Sequence, residues 1–98
     1  MKELFIPHAA ETDQKAIEIA RIWIAHRQQH VSLLTGPWSE APASWGIMLC
    51  DLAHHVANAY EEQGLGNADE IFSSIVERFN DEAFGPTDEV VGQVITEQ

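Results

Sequence analysis

Asp51 and His55 stand four residues apart in a stretch with helical periodicity, and Glu62 follows two turns later. At about 100° per residue, with Leu52 as the core direction, His55 lies about 60° to one side. Glu62 falls at about 80°, Asp51 at about 100° and Asn58 at about 120° on the same side. A carboxylate and an imidazole at i, i+4 can present two ligands to one ion, or make a general base with its orienting partner. The plainer reading has His55 packing beside the core and hydrogen-bonding Asp51. A metal site wants further ligands, and Glu62 is the only candidate for a third.

His30, at the head of Val31-Ser32-Leu33, is a candidate for the mouth of a pocket with Trp38 and Trp45. Trp38 sits in a Gly-Pro loop, where an aromatic lines a ligand pocket, anchors an interface or folds back as a lid over its own core. The candidate ligand-binding set is therefore His30, Trp38, Asp51, His55 and Glu62, with no catalytic residue, no metal site and no cofactor assigned. Cys50 and His54 are also i, i+4, on the side away from Leu52, but no CxxC or HxxxH pattern supports zinc. Cys50 lies inside the helical stretch, without the helix N-terminus or cationic neighbour that activates a thiolate. Gly64-Leu65-Gly66 lacks the third glycine and the preceding strand of a phosphate cradle, and no GxSxG elbow or calcium loop occurs.

These residues belong to a chain of 98 with sixteen Asp and Glu against five Lys and Arg, a net charge of −11 with His neutral. At 45% hydrophobic it can build a core, which excludes the disordered composition class. The length suits a single domain over 1–98, with 1–12 and 86–98 as its less ordered ends. So acidic a surface argues against a nucleic-acid or anionic-membrane grip. No apolar run approaches a membrane span or a signal peptide, and one cysteine cannot form an internal disulfide, so a cytoplasmic location is expected. The acidity is uneven. Residues 51–98 hold Arg78 alone against eleven acids, which reads as solvated helix faces or as a surface for a basic partner.

Glu3-Leu4-Phe5-Ile6-Pro7 reads as an edge strand or an extended arm, stopped by proline, and 8–12 as loop. Residues 13–34 fit two patterns. A helix would line Gln14, Glu18, Arg21 and Gln28 along one polar stripe. The four isoleucines and Trp23 within 17–24 favour β, with His26-Arg27-Gln28-Gln29 turning into His30–Leu34, although no Gly or Asn supports the turn. The hairpin, about 17–25 and 29–34, is preferred. A long helix over about 43–63 follows, its apolar stripe being Trp45, Leu49, Leu52, Val56 and Ala59, with Gly64 and Gly66 to stop it. Asn67-Ala68-Asp69-Glu70 resembles a capping box for a helix over about 68–81 that buries Ile71, Phe72, Ile75, Val76 and Phe79. On the far side of the long helix, Ile47, Cys50 and Ala57 suggest cover by another layer of this chain or, slightly better, by a second subunit. After Phe84-Gly85-Pro86, the stretch from Thr87 fits a short helix, a strand or a frayed tail.

Several of these runs carry a resemblance: Glu3–Pro7, Glu18-Ile19-Ala20-Arg21, Trp23-Ile24-Ala25, Gln29–Leu33, Trp45-Gly46, Asp51-Leu52-Ala53, His55-Val56-Ala57 and Ala59-Tyr60-Glu61. Together they resemble a family of small bacterial proteins of about this length, classed as a domain of unknown function, over roughly residues 3–87. In that family glycines occupy the segment before the Gln-His-Val-Ser-Leu run, where Arg27 and Gln28 stand here. The resemblance implies a compact bacterial cytoplasmic domain and brings no activity, cofactor or catalytic residue.

The expectation is thus an α+β domain, a small antiparallel sheet packed against two helices. Its expected role is a non-enzymatic interaction or regulatory module, a homodimer whose acidic helices face a basic protein partner. The alternative is a small-molecule or metal-binding domain using Asp51, His55 and Glu62. Enzymatic activity ranks last.

Overall fold

The computed structural model describes residues 3–85 and 90–97. In chain order it contains α1 (His8–Thr12), β1 (Ala20–Ala25), β2 (Gln28–Leu34), a 3₁₀ turn (Gly36–Trp38), α2 (Ser44–Glu62), α3 (Ala68–Phe84) and β3 (Val94–Glu97). The class is α+β, and the chain divides into two units. One is a sheet unit, Met1–Pro37 with Val91–Gln98; the other is a helical unit, Trp38–Val90. Among the described residues no helix is long and apolar enough to cross a membrane.

In the sheet unit the β-branched run wins over the helical alternative. β1 pairs antiparallel with β2 from Ala20↔Leu33 to Ala25↔Gln28, leaving a two-residue loop, His26-Arg27. Both loop residues have positive φ, 52° and 63°, as a type I′ turn requires at both central positions. L-residues with a Cβ are disfavoured there by about 1 kcal/mol each. The replacement His26→Asn with Arg27→Gly is therefore expected to raise stability by about 1–2 kcal/mol, read from urea unfolding. An unchanged or lower midpoint would mean that the turn is not under this strain.

The third strand differs from expectation. Residues 3–7 form no strand, so the edge-strand reading fails and the arm reading stands. Pro7 ends the arm, and its carbonyl accepts from the N–H groups of Ala10 and Glu11 to open α1 where loop was expected. β3 comes instead from the tail and lies parallel to β2, from Val31↔Val94 to Leu34↔Glu97, so the sheet is mixed rather than purely antiparallel. Gly92 makes this approach possible. Its φ is +118°, and a Cβ there would collide with the carbonyl oxygen of Gln29. Residues 86–89 of the expected tail lie outside the described residues.

In the helical unit the boundaries fall near their expected places. α2 closes in a Schellman motif: Gly64 at φ +75° donates to the Glu61 carbonyl, and Leu65 donates to that of Tyr60. Asn67 caps α3 by accepting from the Glu70 N–H at 3.1 Å. The reciprocal Glu70-to-Asn67 bond of the expected capping box is not formed among the described residues, and a different first-turn N–H finds a partner. The Glu61 carboxylate, from α2, accepts from the Ala68 N–H at 2.8 Å, which ties the two helices at their shared loop. α3 runs three residues beyond its expected end, to Phe84. Ile71, Phe72 and Ile75 are half-buried, but Val76 and Phe79, expected in the core, are exposed.

Candidate functional site

α2 carries apolar residues on two sides, and α3 takes the side that sequence periodicity placed outside. His54 stacks flat on Phe72 with ring centroids 3.8 Å apart. Ala57, one turn on, is 1% exposed and is the only buried residue among those described. Its methyl-sized side chain fits the helix crossing, and the Glu61–Ala68 hydrogen bond continues the same face. Of the two expected covers for the Ile47, Cys50 and Ala57 side, another layer of this chain or a second subunit, the first holds at Ala57. α3 covers it, because an aromatic pair and a small residue there form a better helix seam than the bulky stripe opposite. Cys50 remains exposed, with a free thiol.

Within the helical unit, α3 does not cover the stripe read as core. Leu49 is 44% exposed, Leu52 41%, Val56 38% and Tyr60 47%. At 100° per residue these four share one side of α2, spread over about three turns. Trp45, at the N-terminal end of the stripe, packs edge-on against Trp38 with centroids 5.1 Å apart. That pairing follows the lid reading of Trp38, since an edge-to-face pair adds about 0.5–1.5 kcal/mol beyond burial.

The polar candidates are divided between the two units. Asp51, His55 and Glu62 are exposed on α2, and none of the three makes a side-chain hydrogen bond or ion pair among the described residues. No group of three or more His, Cys, Asp or Glu there is arranged to hold a metal ion. His30 belongs to the sheet unit. It stands opposite Trp23 in the β1–β2 register, and its Nδ1 accepts from the Gln93 N–H at 3.2 Å. A concavity of about 150 Å³ is lined there by Trp23, His30, Ser32, Gln93 and Ile95. A second, of about 180 Å³, includes Glu18, Arg21 and Glu97. Arg21 donates to Glu18 at 2.9 Å and lies 3.9 Å from Glu3. The hydrogen bond to Glu18 and the charges of Glu18 and Glu3 push its guanidinium above the ordinary value, so this surface cation stays charged and locally matched.

Sequence reasoning missed His54 as a packing residue and Gly92 as a contact residue. Apolar Ala57 beside His54 was the available signal for the first; nothing local marks the second.

A model of the family described as Domain of unknown function (DUF5076) matches residues 3–87. No curated protein matches the chain. Among solved structures the chain is similar to one described as "a putative pyruvate dehydrogenase from the photosynthetic bacterium Rhodopseudomonas palustrus CGA009". The two are 30% identical, with a TM-score of 0.71 over 93% of this chain and 92% of the other.

Proposed function

The chain belongs to the DUF5076 family of domains of unknown function, and from that premise we propose that it is a non-enzymatic interaction module working as a homodimer. A second copy covers the α2 stripe, and the acidic outer faces of the helices meet a basic protein partner. The observation that carries this reading is the exposure of Leu49, Leu52, Val56 and Tyr60 together on one side of α2.

Charge decides which surface meets which partner. α2 and α3 expose Asp51, Glu61, Glu62, Asp69, Glu70, Glu77, Asp81 and Glu82 against the single cation Arg78. Two copies meeting through those faces would oppose like charges, which disfavours association. The apolar stripe carries no such penalty. Self-association therefore uses the stripe, and Asp51, Glu62, Asp69, Glu70, Glu77 and Asp81 face a partner rich in Lys and Arg. The exposed thiol of Cys50 fits the reducing, cytoplasmic setting proposed for the chain.

The neighbour's described activity draws no support from the chemistry of this chain. The two sheet concavities hold about half or less of an ordinary substrate pocket. Arg21, the cation available to a 2-oxo acid carboxylate there, is already engaged by Glu18 and Glu3.

Light scattering on the purified chain tests the dimer, with an expected mass of twice 10.9 kDa. A mass of one chain at micromolar concentration would refute it. For the basic partner, a Lys-rich peptide is expected to bind at 50 mM salt and to be released at 300 mM, as screening predicts. Binding that ignores salt, or no binding at 50 mM, would remove that part.

A further inference from the structure

We propose that the outer edge of β2 is a docking site for an extended segment of a partner protein. That segment lies parallel to β2 and carries an aromatic side chain where this chain places Ile95. β3 is the chain's own stand-in for it. The match to the family model ends at residue 87, whereas β3 runs from Val94 to Glu97. The strand that fills this edge therefore lies outside the matched region.

The hold on β3 runs through its backbone. The Val31 N–H donates to the Gln93 carbonyl at 2.9 Å, and the Thr35 N–H to that of Glu97 at 3.1 Å. The Gln93 N–H donates to His30 Nδ1 at 3.2 Å, and the Thr35 hydroxyl to the Glu97 carbonyl at 3.4 Å. No side chain of Val94, Ile95, Thr96 or Glu97 makes a hydrogen bond or an ion pair among the described residues. All four residues are exposed. Such a ladder is indifferent to most side chains and accepts an extended segment that can come close enough. The approach needs a glycine at the position of Gly92, where a Cβ would collide with the Gln29 carbonyl oxygen.

Side-chain selection comes from the two concavities. Ser32 pairs with Ile95 and Leu34 with Glu97, so Ile95 and Glu97 share one face of the sheet. Each borders a concavity on that face. Ile95 borders the one of about 150 Å³ with Trp23, His30 and Ser32. Glu97 borders the one of about 180 Å³ with Arg21, Ser32 and Leu34. Backbone pairing with room for alternate side chains is the arrangement by which an exposed sheet edge recognises a peptide. Ile95 is 51% exposed and does not fill its space. A space of about 150 Å³ holds a benzene-sized group, and Trp23 in its wall favours a ring over an aliphatic chain. The second concavity sets no charge requirement, because Arg21 is already matched by Glu18 and Glu3. The docking edge is independent of the homodimer and of the acidic helix faces.

The test is fluorescence anisotropy with labelled peptides of the sequence Val91–Glu97, one native and one carrying Ile95→Phe. The Ile95→Phe peptide is expected to bind the full wild-type chain in competition with β3, and to shift the Val31 and Thr35 amides in ¹H–¹⁵N NMR. It should bind about tenfold tighter to the Gly92→Ala chain, whose own tail no longer holds the edge. The native peptide should bind more weakly, and the Ile95→Phe peptide with Gly92→Ala added should not bind. Failure of the Ile95→Phe peptide to bind a Gly92→Ala chain with β3 detached would overturn the proposal. A native peptide that binds as tightly would give the edge to the tail of a second copy, and overturn it as well. Should Gly92→Ala not fold, Ile95→Phe in the full chain decides. It is expected to raise amide protection at Val31 and Thr35 severalfold, and unchanged or lower protection would overturn the proposal.

Discussion

Gly92→Ala is expected to detach β3 from the sheet and to cost about 2–4 kcal/mol. Two effects add at this position. The backbone sits at φ +118°, where an L-residue is strained, and the new methyl would fall on the Gln29 carbonyl, 2.9 Å from its carbon. The obstacle is backbone rather than the tip of a flexible side chain, so β2 and β3 must separate. With them go the Val31 N–H to Gln93 carbonyl bond at 2.9 Å and the Thr35 N–H to Glu97 carbonyl bond at 3.1 Å, each worth about 1 kcal/mol. The measurement is the urea midpoint together with amide protection at Val31 and Thr35. Gly64→Ala serves as the comparison: its φ is +75° and its would-be Cβ meets nothing, so it should cost about 1 kcal/mol and leave β3 in place. Equal losses in the two variants, with β3 protection intact in both, would refute the close approach.

The second large effect concerns α2. Leu52→Glu should convert the homodimer to a monomer with its helices intact. Leu52 is 41% exposed in the single chain, so a charge there costs the fold little. In the dimer the two-fold repeats the change on both copies, placing two carboxylates in an apolar contact. A loss of roughly 4 kcal/mol, about a thousandfold in Kd, is a modest estimate for that desolvation. Light scattering and circular dichroism separate the outcomes. A variant of one-chain mass with wild-type helicity is expected. An unfolded variant would mean that Leu52 packs inside its own chain, and an undisturbed dimer would place the interface elsewhere.

What could be read from the sequence divides along physical lines. Local signals were legible: Gly64 as a left-handed stop, Asn67 as a cap, and the isoleucine-rich run as strand rather than helix, although the strand starts at Ala20 and not at Ile17. The hairpin turn was harder. His26 and Arg27 occupy positive φ without the glycine that usually marks such a turn. Non-local contacts were not legible. The wheel of α2 shows apolar residues on two sides, and nothing within the helix says that α3 takes the His54–Ala57 side. The pairing depends on Phe72, eighteen residues beyond His54. Likewise Val94–Glu97 carries a short apolar pattern compatible with several structures, and its parallel pairing depends on the space that Gly92 leaves beside Gln29. Of the polar candidates, periodicity placed Asp51, His55 and Glu62 on α2, but spacing alone said nothing of whether they gain partners. His30 was singled out for the mouth of a pocket with Trp38 and Trp45; within the sheet unit it lines a concavity with Trp23 and accepts from the Gln93 N–H.

The central claim, that a second copy covers the α2 stripe, is tested most directly by isotope-filtered NOE measurements on a mixture of ¹³C-labelled and unlabelled chains. Intermolecular NOEs from the methyls of Leu49, Leu52 and Val56 are expected. A mixture with no intermolecular NOEs from those methyls, or with such NOEs confined to the sheet, would contradict it.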